Sequence, residues 1–107
     1  MKRGDLVTAV VGGDYGKPRP ALIIQSDSFE TPSVTLLLVT GTLLPAHLAR
    51  VDVHPTHQNG LRQPSQIMID RVMTVPRTRV GEVIGKLDLD TLDRVERQLM
   101  TFLGLLQ

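Results

Sequence analysis

The chain has 107 residues, of which 41% are hydrophobic, 21% charged and 3% aromatic, with a formal net charge of +1 and no cysteine. That length predicts one domain over residues 1–107, and zero cysteine excludes a disulfide framework, a thiolate zinc ribbon and a cysteine nucleophile. No apolar run reaches the roughly 18–20 residues that cross a bilayer, and none follows Met1-Lys2-Arg3-Gly4-Asp5, so the expectation is a cytoplasmic protein with no membrane partner.

Leu6 to Val11 is an apolar, β-branched run that reads as a strand, and the turn-rich Gly12-Gly13-Asp14-Tyr15-Gly16-Lys17-Pro18 behind it reads as an exposed loop. Ala21 to Ile24 resumes as a strand after Pro20, and Ser26 to Ser33 breaks it. Val34 to Thr40 is a third strand, so continuous in Leu and Val that both faces are expected to be covered. Ala49, Val51 and Val53 alternate with Arg50, Asp52 and His54, the period-two pattern of a half-buried strand ended by Pro55. After the Asn59-Gly60 turn, Gln66, Met68 and Asp70 alternate with Ile67 and Ile69, which puts Gln66 and Asp70 on one face. Val72 to Val75 reads as a separate strand closed by Pro76. Asp90 and Asp93 then resemble a capping box, and Leu92, Val95, Leu99, Phe102 and Leu106 follow at helical spacing. Strands first and one helix last predict a mainly β fold, a small, strongly bent antiparallel sheet or barrel with a C-terminal helix.

Several chemistries fail on spacing. Gly12 to Lys17 is one residue short of a phosphate loop, with Pro18 in place of its hydroxyl. Arg3-Gly4-Asp5 is read as chance. Asp52, His54 and His57, with His47 nearby, offer metal-ligand types, but Pro55 breaks the segment between the histidines, so no metal and no cofactor is expected. A stacking platform for single-stranded nucleic acid is also disfavoured, because Tyr15, Phe29 and Phe102 are the whole aromatic complement. Residues 1–79 hold 9 Lys or Arg against 6 Asp or Glu, a weak positive bias. Within that region Asp14, Lys17, Arg19 and Thr40 form the candidate set. Arg19 opens a strand and Thr40 closes another, so a guanidinium fork and a hydroxyl can converge on a phosphate at one end of the sheet. The alternative is a surface pair between Arg19 and Asp14, with Thr40 as a turn residue.

Arg3-Gly4-Asp5-Leu6-Val7, Gly16-Lys17-Pro18-Arg19-Pro20-Ala21-Leu22-Ile23-Ile24 and Val34-Thr35-Leu36-Leu37-Leu38-Val39-Thr40 resemble toxins of the MazF/PemK family. Asn59-Gly60-Leu61, Pro64-Ser65-Gln66-Ile67-Met68-Ile69-Asp70 and Ile84-Gly85-Lys86-Leu87-Asp88 continue the likeness in order, whereas Thr42 to Gln58 matches poorly. The resemblance implies an SH3-like barrel, a homodimer, metal-independent cleavage of single-stranded messenger RNA at short sequences, and a cognate antitoxin. By position, Arg19 matches the family's catalytic Arg and Thr40 its catalytic Thr. Asp14 matches an acidic loop residue near the active site, and Asp70 an Asp that the PemK branch uses as a base. Lys17 and Gln66 join Asp14 and Asp70 as RNA-binding or auxiliary residues. Met68 stands where the PemK branch has an Arg, and Leu38 where a Pro is common, which favours the MazF branch and makes Asp70 a substrate contact.

RNA supplies its own nucleophile, the 2′-hydroxyl, so such an enzyme need only align it, stabilise the phosphorane and move two protons. The positive bias implies an acidic, partly disordered antitoxin segment. Two rivals stand beside this reading. A gyrase-binding toxin of the CcdB type uses a C-terminal Trp that this chain lacks. A non-catalytic RNA- or peptide-binding barrel predicts no cleavage at all.

Overall fold

The computed structural model of the protein describes residues 1–12 and 16–105. Its strands are β1 (Asp5–Val10), β2 (Pro18–Ile23), β3 (Ser33–Thr40), β4 (Arg50–Val53), β5 (Ser65–Pro76) and β6 (Val80–Lys86), followed by helix α1 (Leu89–Phe102). They form one antiparallel sheet in the order β4-β5-β3-β2-β1-β6. The expected bent sheet with a single C-terminal helix is what forms. β4 and β6 are the two ends of that order, so the hydrogen-bonded ladder does not close between them.

The sheet buries both faces, as the continuous apolar run of β3 requires. Leu6, Leu22, Leu37 and Ile67 point to one side, where Leu92 and Val95 of α1 cover them. Val7, Ala21, Ile23, Leu36 and Val75 point to the other. Residues 65–76, expected as two strands, run as a single strand. Between the pairs Leu37↔Val72 and Val39↔Ile67, β3 advances two residues and β5 advances five. The three extra residues reverse the facing of β5: Ile67 and Ile69 pack into the first cluster, Met73 and Val75 into the second.

β6 has no counterpart among the expected strands. Gly81, Glu82 and Gly85 interrupt its apolar pattern, and it follows β1 only through two register shifts. The helix begins two residues earlier than its spacing predicts. Asp88, not Asp90, is the N-cap, and its Oδ2 accepts from the Thr91 N–H and from the Thr91 hydroxyl, each at 3.0 Å. At the other end Gly104 takes φ +75°, and Leu105 N–H bonds Met100 O at 2.8 Å, a left-handed stop that glycine adopts without strain. The predicted apolar stripe divides along its length. Leu92 and Val95 are buried and Leu99 packs on the sheet, but Phe102 is 53% and Leu105 73% exposed, while Leu106 lies outside the described residues. Arg3-Gly4-Asp5 is a structural tie: Arg3 pairs with Glu96 of α1 at 2.6 Å, and Asp5 Oδ2 accepts from the Lys2 N–H at 2.8 Å.

Candidate active site

Arg19 and Thr40 are brought together by strand register. Ala21 and Leu38 form the last pair between these antiparallel strands, and continuing both by two residues brings Arg19 of β2 and Thr40 of β3 into the lining of one groove. Thr40 in turn pairs with Gln66 of β5, and Gln66 with Asp52 of β4. Paired residues share a face. Thr40, Gln66 and Asp52 therefore form a polar row across three neighbouring strands, on the side turned away from the cluster under α1.

At the Thr40 end of the row lies a groove of about 1330 Å³ whose lining includes Arg19, Thr40, Met68, Arg62, Gln63 and Glu82. One wall is the 54–64 loop. Asn59, only 2% exposed, organises it: its Oδ1 accepts from the N–H groups of Thr56 and Leu61, each at 3.0 Å, and its Nδ2 donates to His54 O at 2.8 Å. The loop is then pressed onto β6, where Lys86 N–H donates to Gln58 O at 2.9 Å. Gly60 makes this approach possible, because at φ +70° a Cβ there would strike Ile84 O. Arg62 and Gln63, just past that turn, are carried to the groove beside Thr40.

The other expected residues fall into different places. Lys17 is exposed in front of β2 and Asp70 is exposed on β5, and neither lines the groove. Asp70 lies among the extra residues of β5, which have no partner on β3 in the ladder. Asp14 lies outside the described residues. Gln66, expected as an RNA contact, is 5% exposed and its carboxamide is spent inside the fold. It holds Leu44 N and O, Arg50 Nη1 and Asp52 Oδ1 at 2.8–3.0 Å. Thr8, Arg62, Gln63 and Glu82 also line the groove and carried no signal as single residues, since they come from separate segments that only the folded sheet joins. The Asn59-Gly60 turn was the one local cue to the wall they stand on. His54 and His57 gather no ligand partners: among the described residues no group of three or more His, Asp or Glu is placed to hold a metal. No helix of the described residues is long and apolar enough to cross a membrane.

A groove lined by an arginine and a threonine offers hydrogen-bond donors that suit a phosphodiester. Residues 2–103 match the model of the PemK-like, MazF-like toxins of type II toxin–antitoxin systems. The chain belongs to that family. It is 45% identical over 107 residues to a probable endoribonuclease MazF of Mycolicibacterium smegmatis, with 98% of each chain covered. It is 30% identical to the endoribonuclease EndoA of Bacillus subtilis, covering 99% of this chain and 97% of that one. Among solved structures, a mycobacterial endoribonuclease in complex with its cognate antitoxin superposes with a TM-score of 0.84 at 21% identity, covering 100% of this chain and 98% of that one. A MazF toxin of Mycobacterium tuberculosis gives 0.81 at 25% identity over 94% of this chain and 97% of its own. The bent sheet, the C-terminal helix and the groove at the β2–β3 end are thus set in a MazF-type fold.

Proposed function

We propose that this chain is the RNA-cleaving toxin of a toxin–antitoxin pair, a sequence-specific endoribonuclease that cuts single-stranded messenger RNA by transesterification and so stops translation. The observation that carries this reading is the convergence of Arg19 and Thr40 in one groove, in a chain 45% identical to a relative named as an endoribonuclease. The 2′-oxygen attacks the adjacent phosphorus, the bond to O5′ breaks, and the products are a 2′,3′-cyclic phosphate and a 5′-hydroxyl. A base takes the 2′ proton and an acid returns one to O5′. Charge gathers on the non-bridging oxygens of the phosphorane, where the Arg19 fork and the Thr40 hydroxyl supply donors; one well-aimed donor of this kind contributes about 3–4 kcal/mol. Arg62 adds positive charge along the same groove. Asp14, Lys17 and Asp70 serve as contacts to RNA beyond the scissile phosphate.

The toxin works in the cytoplasm as a homodimer and is silenced by an acidic antitoxin segment laid along the groove; the complex of its mycobacterial structural relative with a cognate antitoxin supports an antitoxin as partner. The test is substitution at the groove. Arg19→Ala should lower cleavage by on the order of 10²–10³-fold, with an unchanged circular dichroism spectrum, because the side chain is exposed at the start of β2. Arg19→Lys should fail similarly, since an ammonium keeps the charge but not two parallel donors. Wild-type cleavage by Arg19→Ala contradicts the assignment.

A further inference from the structure

We infer that Gln66, clasped by Arg50 and Asp52, is a positioning residue that aims the Thr40 hydroxyl into the groove; this rests on the reading of Thr40 as a donor to the phosphorane. The segment that follows Thr40 needs such a device. Residues 41–48 are all exposed, so no buried side chain anchors them. What holds their first half is Gln66. Its Oε1 accepts from the Leu44 N–H at 3.0 Å and its Nε2 donates to Leu44 O at 2.9 Å, so the side chain pairs with that residue as a neighbouring strand would.

The orientation of the carboxamide is forced from both sides. Arg50 can only donate, and its Nη1 meets Oε1 at 2.9 Å; an ionised Asp52 can only accept, and its Oδ1 meets Nε2 at 2.8 Å. Both donors and both acceptor positions of Gln66 are then used, and it has no capacity left for a ligand. The same Arg50 Nη1 donates to Thr42 O at 2.8 Å. With Thr42 O and Leu44 both held, the Thr42 N–H is directed back to Thr40 Oγ1 at 3.0 Å. A threonine hydroxyl has one proton to give and two lone pairs to offer. One lone pair occupied by a backbone N–H fixes the side of the oxygen that faces the turn and leaves the proton to point away from it, and the groove is where Thr40 stands.

The chain of contacts runs from Asp52 through Gln66 and Arg50 to the 42–44 turn, and from that turn to the hydroxyl. Breaking it leaves substrate affinity in place and misaims one catalytic group. The experiment compares wild type with Gln66→Met, an unbranched side chain without hydrogen bonds, and with Arg50→Met, which releases Thr42 O from β4 and remains informative if the buried change disturbs folding. Two quantities are read: kcat and KM on a short single-stranded RNA, and the exchange rate of the Thr42 amide proton by NMR in the protein alone. The expected result is a fall in kcat on the order of 10²-fold, KM within about twofold of wild type, and at least about tenfold faster Thr42 exchange. An unchanged kcat, or a Thr42 amide as protected as in wild type, overturns the inference. Thr40→Ala separates the two claims. Wild-type cleavage by that variant overturns the role of Thr40 itself, whereas an inactive Thr40→Ala beside a fully active Gln66→Met overturns only the clasp.

Discussion

Asp88 shows how one carboxyl sets the start of an element and ties its stability to pH. The Thr91 hydroxyl first, and the Thr91 backbone N–H second, hold its carboxyl below the ordinary value of 3.8. A carboxyl held low in the fold contributes stability that is complete above its unfolded value and is lost as pH falls through its lower folded value. Replacing the cap with alanine should cost about 1 kcal/mol near neutral pH. The gap between wild type and Asp88→Ala should then close as pH drops below 3.8, which urea titrations on either side of that value will show. A gap that stays constant with pH contradicts the charged cap. The same reasoning about partners separates Thr40 from Gln66. Each lies in the polar row, but Thr40 keeps its proton for the groove while Gln66 has given every bond to the protein.

At the scale of elements, the parts of the fold legible in the sequence are those whose local pattern agrees with their surroundings. β3 reads as doubly covered and is, with Leu36 and Leu37 in opposite clusters. β4 reads as half-buried and shows Val51 and Val53 inside with Asp52 outside. β6 was illegible because its order comes from β1 and from the 54–64 loop rather than from its own residues, two of which are glycines. The facing of β5 was illegible for another reason. Three extra residues between Ile67 and Val72 invert the period, and no property of Met68, Ile69, Asp70 or Arg71 taken singly announces where a strand slips. That slip also explains the candidate site. Arg19 and Thr40 lie at the ends of regular strands, whereas Asp70 lies within the slip, and Gln66 was read by the face it occupies without knowledge of the loop that comes down upon it. The helix start was misjudged by two residues because Asp88 and Asp90 both have the chemistry of a cap, and only the bond to Thr91 distinguishes them.

For the whole molecule, α1 closes one face of the sheet with its first turns and leaves Phe102, Leu103 and Leu105 exposed at its end. Adjacent apolar side chains left in water favour association, and the proposed homodimer gives them a place to be covered. Light scattering at micromolar concentration should return twice the mass of one chain; a monomer there contradicts the dimer. The groove makes a stronger demand on the molecule as a whole. Arg19, Thr40 and the 54–64 wall come from three separate segments of the sequence, and the account holds that together they cleave RNA through its own 2′-hydroxyl. The most direct measurement is to incubate the purified protein with a long single-stranded RNA in excess EDTA and to map both ends of each product. The account predicts cuts at a recurring short sequence, each leaving a 2′,3′-cyclic phosphate and a 5′-hydroxyl. Intact RNA in EDTA with cleavage restored by magnesium or zinc, or products that carry 5′-phosphates, would contradict it.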